Sequence, residues 1–233
     1  MRDGALGGRQ GRLVFVFLMS RAPHPVSRDE LVRALWKTPP PSADAALNAI
    51  ISKLRRVLRT AGVAAPNGIV CDVGTYRLTL PSAWVDVDAA KTAADRAEGA
   101  LRSGKLSDAW ANANVAAAIA RQPFLPDESA PWVQRVRDIL ARVWRRGMLV
   151  LSDVSTRNDE HELGIQYAAD VAAAEPFDEL ACQALMRAHA AAGNRAEALR
   201  VYAKCRKLFR DELGAEPSEK TANVFLSILK AHA

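Results

Sequence analysis

From Gln10 to Ser20 the chain is apolar on nearly every side, a pattern that predicts a helix buried almost all round. The Pro-punctuated stretch Arg21-Ala-Pro-His-Pro25 ends it. Ser27-Arg-Asp-Glu30 has the form of a capping box, in which the Ser27 hydroxyl accepts from the Glu30 amide while the Glu30 side chain reaches back. It opens a short helix with Leu31, Val32, Leu35 and Trp36 inward, stopped by Lys37-Thr-Pro-Pro-Pro-Ser42 because successive prolines cannot continue it. Ser42 or Asp44 is placed to cap the next helix. From Ala43 to Thr60 the residues Leu47, Ile50, Ile51, Leu54, Val57 and Leu58 fall on one stripe of a 3.6-residue helix. Its opposite face carries Ala45, Ala49, Ser52 and Arg56, flanked by Asn48, Lys53, Arg55 and Arg59. Gly62 and Pro66-Asn-Gly68 close it, and Ile69–Val73 and Tyr76–Leu80 are β-prone runs meeting at Gly74, a hairpin signal.

After Pro81 the texture changes to Ala-rich helical sequence. Helices are predicted at Asp88–Ser103, Leu106–Arg121, Pro131–Asn158, Glu160–Ala174, Phe177–Ala192 and Arg195–Leu213, with a last one from Ser218. Short polar or Gly/Pro joints between long amphipathic helices imply antiparallel neighbours. Gly193-Asn-Arg-Ala-Glu-Ala-Leu-Arg-Val-Tyr202 has the form of a tetratricopeptide helix start, echoed around Gly104-Lys-Leu-Ser-Asp-Ala109 and Glu162–Ala168. Stacked repeats or a plain helical bundle both fit. The fold expected is mainly α: a winged helix-turn-helix over residues 1–82, then a tetratricopeptide-like helical domain over residues 83–233.

Composition alters this picture only when divided along the chain. A 233-residue sequence with 49% hydrophobic and 25% charged residues is ordinary for a globular protein and excludes collagenous or intrinsically disordered classes. Residues 1–80, however, hold 12 Lys and Arg against 5 Asp and Glu, whereas the remainder holds 20 against 21. All of the net +6 therefore sits on the first domain, which argues for a polyanionic partner. Cys71, Cys182 and Cys205 are far apart and lack metal-ligand spacing, so they read as reduced thiols of a cytoplasmic protein, with no metal and no cofactor expected. Leu13–Met19 is too short to span a bilayer, which needs about 20 apolar residues, so no membrane partner is expected.

A recognition helix must bury one stripe and offer the major groove a face free of bulky apolar groups. Ala43–Thr60 does so. Ala45 and Ala49 permit close approach, Asn48 and Ser52 can bond base edges, and Lys53, Arg55, Arg56 and Arg59 can hold bases or phosphates, with Arg77 of the hairpin reaching phosphate. Asp72 in the same hairpin opposes phosphate contact.

Pro25-Val-Ser-Arg-Asp-Glu-Leu-Val-Arg-Ala-Leu-Trp36, Ile51-Ser-Lys-Leu-Arg-Arg56 and Gly74-Thr-Tyr-Arg-Leu78 resemble the winged helix of OmpR-type regulators. Pro176-Phe-Asp-Glu-Leu-Ala-Cys-Gln-Ala-Leu-Met186, Gly193–Tyr202 and Glu212-Leu-Gly-Ala-Glu-Pro-Ser218 resemble the bacterial transcriptional activator domain. The pairing is similar to antibiotic-regulatory (SARP) activators. That resemblance implies a recognition helix at Ala43–Thr60, a wing at Ile69–Leu80, double-stranded DNA and RNA polymerase as partners, and a homodimer as one arrangement. It also implies a small sheet ahead of the first helix. Only Met1–Arg9 precede that helix here, so either the start codon lies upstream or this winged helix is a shortened one, and without the sheet Leu13–Met19 is expected to be partly uncovered.

Enzymatic motifs are absent from the sequence: it contains no GxxxxGK[ST], GxGxxG, GxSxG or HExxH. Asp127-Glu128 and Asp159-Glu160 are explained by interaction with helix dipoles. Trp110, Trp132 and Trp144 read as core anchors. Arg135, Arg137, Arg142, Arg145 and Arg146 either extend a DNA surface or pair with acids across a helix interface. The function expected is a DNA-binding transcriptional regulator, an activator and not an enzyme. The alternative is a helical-repeat interaction or ligand-sensing module whose shortened first domain no longer binds DNA.

Overall fold

The computed structural model describes residues 6–63, 66–80 and 85–231, so the boundary expected at residues 82–83 lies outside the described residues. In chain order these residues form α1 (Gly8–Arg21), β1 (Val26–Ser27), α2 (Arg28–Leu35), α3 (Ala43–Thr60), β2 (Gly68–Asp72), β3 (Thr75–Thr79), α4 (Asp86–Arg102), α5 (Leu106–Ala120), α6 (Pro131–Arg157), α7 (His161–Ala174), α8 (Glu179–Ala191), α9 (Arg195–Leu213) and α10 (Glu219–Lys230). They group into two compact units, one of Met1–Val87 with Phe124–Asp138 and one of Asp88–Pro123 with Ile139–Ala233.

In the first unit the stripe of α3 is buried as its period requires, through Leu47, Ile51, Leu54 and Leu58, against Leu13, Val14, Phe17 and Leu18 of α1 and Leu31 and Leu35 of α2. The Ser27–Glu30 capping box is complete. Ser42 makes no side-chain cap to α3, contrary to expectation, and the Asp44 carboxylate is taken by Arg28 instead. The sheet is antiparallel in the order β1-β3-β2, with Ile69 opposite Leu78 and Val26 opposite Tyr76. The wing tip is the two-residue turn Val73-Gly74, both at positive φ (40° and 75°), as right-handed strand twist favours. Gly74 suits that geometry, whereas Val73 is β-branched and 96% exposed.

No strand precedes α1 among the described residues, yet α1 is better covered than expected. The cover is Phe124–Asp138. Trp132 stands edge-on to Phe17 at 5.1 Å and to Phe124 at 6.3 Å, and its indole N–H donates to the Ala34 carbonyl at 3.1 Å. Glu128, only 3% exposed, accepts a bidentate pair from Arg9 at 2.8 and 2.6 Å, with Arg12 at 3.6 Å. This buried ion pair replaces the helix-dipole role expected of Glu128. Arg137 donates to the carbonyls of Phe124, Leu125 and Glu128, which satisfies connector backbone left without secondary structure. Phe15, Val16 and Met19 remain half-buried.

Every described secondary-structure element of the second unit is a helix. Ala90, Ala93, Ala94 and Ala97 of α4 and Ala109, Ala113, Ala116 and Ala117 of α5 are buried, and these small side chains allow close helix approach. Gly147 of α6 shows how close: a Cβ there would lie 3.1 Å from the Ala113 carbonyl oxygen and 3.3 Å from the Ala117 nitrogen. Of the expected aromatic anchors, Trp132 is buried and Trp144 half-buried, but Trp110 is 48% exposed. Arg145 pairs with Asp178, which also caps α8, and Arg146 pairs with Glu98 and Asp95 at 2.7 and 2.6 Å. These two arginines pair with acids on neighbouring helices.

Helix α10 is anchored from outside itself. Glu179 of α8 accepts from the Ser218 amide at 2.8 Å and from the hydroxyls of Ser218 and Thr221, while Gln183 donates to the fully buried Thr221 hydroxyl at 2.8 Å. Burial pushes the Glu179 carboxyl up, but the Ser218 and Thr221 donors outweigh it and hold the group below the ordinary carboxylate range. A group depressed in this way stabilises the fold above its unfolded value, and that contribution disappears as pH falls through the folded value. Glu179→Ala is therefore expected to cost about 1–2 kcal/mol at neutral pH and to flatten the acid end of the stability curve. Thermal melts of both proteins from neutral pH down into the carboxylate range check this; parallel curves would contradict it.

Candidate nucleic-acid interface

Helix α3 presents to solvent the face that its period leaves outside. Ala45, Asn48, Ala49, Ser52, Lys53, Arg56 and Arg59 are all exposed, as is Arg77 on β3. Arg55 is half-buried and donates from Nε to the Ile69 carbonyl at 2.9 Å, so it ties α3 to β2. Lys53 lies on the opposite flank: a Cβ on Gly7, which sits at φ +90°, would be 3.0 Å from the Lys53 Cδ.

One residue that sequence reasoning passed over organises this face. Arg28, inside the capping box, donates its backbone amide to the Gly74 carbonyl in the wing turn at 3.1 Å. Its guanidinium donates to the Asp44 carboxylate at 2.7 Å, the Asp44 carbonyl at 2.8 Å, the Asn48 side-chain oxygen at 3.1 Å and the Tyr76 hydroxyl at 2.8 Å. The hydrogen bond to the Asp44 carboxylate, outweighing partial desolvation, raises the Arg28 pKa further. Arg28 thus joins the start of α2, the first turns of α3 and the wing. The only sequence signal was its place in a capping box; its partners lie 16, 20 and 48 positions away.

The resulting surface is a strip of two alanines and a serine flanked by cations, beside a hairpin. It suits close approach to a groove lined by phosphates. Among the described residues no group of three or more His, Cys, Asp or Glu could hold a metal ion, and no helix is long and apolar enough to cross a membrane.

Residues 85–229 match the bacterial transcriptional activator domain, and residues 6–74 match the C-terminal domain of transcriptional regulatory proteins. The first of these matches covers more than half of the chain. The chain belongs to the SARP-type family of bacterial transcriptional regulators. It is 32% identical over 236 residues to the regulatory protein AfsR of Streptomyces coelicolor, covering 99% of this chain but 23% of that one. To the regulatory protein DnrI of Streptomyces peucetius it is 30% identical over 232 residues, covering 96% of this chain and 85% of DnrI. A structure of Mycobacterium tuberculosis EmbR in complex with a low-affinity phosphopeptide has the same fold, at a TM-score of 0.89 and 22% identity over 97% of this chain and 60% of that one. The SARP-type chain thus combines a winged helix with a helical activator domain, and it spans about a quarter of the length of the AfsR proteins.

Proposed function

We propose that this chain binds double-stranded DNA by laying α3 in the major groove and regulates transcription as an activator, without catalysing a reaction. The observation that carries the proposal is the exposed Ala45-Ala49-Ser52-Arg56 face, with Lys53 and Arg59 beside it, in the first third of the chain, which holds all of the net positive charge. Ala45 and Ala49 admit the helix closely, Asn48 and Ser52 face base edges, and Lys53, Arg56, Arg59 and Arg77 meet phosphates. Domain by domain, residues 1–82 would serve DNA and residues 83–233 would contact RNA polymerase or a second copy of the chain, in the cytoplasm.

Four phosphate contacts per protomer release about four condensed counterions. A titration of labelled duplex should give a log–log salt slope of about −3 to −4 per bound protomer. A slope near zero, or no duplex binding at low salt, would overturn the proposal.

A further inference from the structure

The Arg28 contacts limit what Asn48 can say to a base. A guanidinium carries donors only, so the Asn48 side chain must turn its oxygen toward Arg28 and its NH2 outward. The orientation is over-determined. The Nη1 that holds Asn48 also holds the buried Tyr76 hydroxyl, while Nε and Nη2 are anchored on Asp44, one turn before Asn48 on the same helix. An asparagine free to rotate pairs bidentately with adenine, accepting from N6–H2 and donating to N7. With its oxygen turned to Arg28 and its NH2 outward, Asn48 presents a donor to the groove in place of the side-by-side donor and acceptor that adenine takes.

We infer that Arg28 is a specificity-setting positioning residue: it makes Asn48 a donor-only reader, so that the base beneath Asn48 is guanine rather than adenine. Guanine offers two acceptors, N7 and O6, on its major-groove edge, whereas adenine sets its own N6–H2 donor against the Asn48 NH2. Arg28 touches no base in this arrangement. The inference rests on α3 lying in the major groove.

The test is selection of bound duplexes from a randomised pool by the full 233-residue chain, followed by affinities for the selected site with single-base changes. Asn48→Ala identifies the position Asn48 reads, as the one whose preference relaxes. In the parent that position should favour guanine over adenine by about tenfold, the low end of a base-edge contact. Arg28→Lys keeps a cation beside Asp44 but offers one compact donor group in place of the fork, which frees the Asn48 amide to turn. The variant should shift that single position toward adenine and leave the others unchanged. A residue that merely supports the fold would instead weaken all sites alike. Adenine preference in the parent, no position relaxed by Asn48→Ala, or a uniform loss with Arg28→Lys overturns the inference while DNA binding stands. Failure to enrich any duplex overturns the DNA reading and this one with it.

Discussion

Replacing Lys53, Arg56 and Arg59 together by alanine is expected to lower duplex affinity about a thousandfold at moderate salt, with little change in folding. All three side chains are exposed on or beside the outward face of α3, so their loss removes no buried contact. Each is taken to make one charge-assisted bond to DNA, worth about 1.4 kcal/mol or a factor of ten. Three such losses at separate phosphates are nearly additive, and the salt slope should become shallower by about 3. Arg55 is left out of the set because its Nε is spent on the Ile69 carbonyl, and removing it would confuse a lost tether with a lost DNA contact. Anisotropy titrations of parent and variant, with circular dichroism melts alongside, check the prediction. An affinity within a factor of ten of the parent would place the DNA surface elsewhere.

The second large effect is one of stability, and it lies far from α3 in sequence. Trp132→Ala is expected to destabilise the first unit by about 3–5 kcal/mol, because the indole is 5% exposed and fills the space over Phe17. Its N–H also satisfies the Ala34 carbonyl near the end of α2. Trp132→Phe keeps the aromatic contact and loses the hydrogen bond, so it should cost markedly less. Urea denaturation of the two variants measures the difference. The same packing predicts that residues 1–82 alone fold poorly, since the cover on α1 comes from Phe124–Asp138. A Trp132→Ala loss below about 1 kcal/mol would mean that α1 is covered in some other way.

Much of this architecture was legible because it is periodic or local. The α3 stripe, the Ser27–Glu30 box and the two runs around Gly74 are each encoded within a few residues, and each is present in the fold. What escaped was encoded by pairs distant in sequence. Glu128 sits in a Pro-interrupted connector that reads as surface, and although Trp132 reads as a core anchor, its partner Phe17, like Arg9 for Glu128, is more than a hundred positions away. The two-residue strand β1 is too short for any alternation to show. In the site, composition and helical period placed the exposed residues of α3. They put Arg56 on the outward face and Arg55 on its flank, but could not show that Arg55 is tied to the β2 backbone or that Arg28 orients Asn48.

Whether α3 lies in the major groove can be read from methylation protection on the selected duplex. Dimethyl sulfate modifies guanine N7 in the major groove and adenine N3 in the minor groove, so a single reaction distinguishes the two sides. Guanine N7 is expected to be protected at the bound site, and that protection to be lost when Lys53, Arg56 and Arg59 are replaced. Guanine N7 fully reactive in the complex, with protection confined to adenine N3, would contradict it.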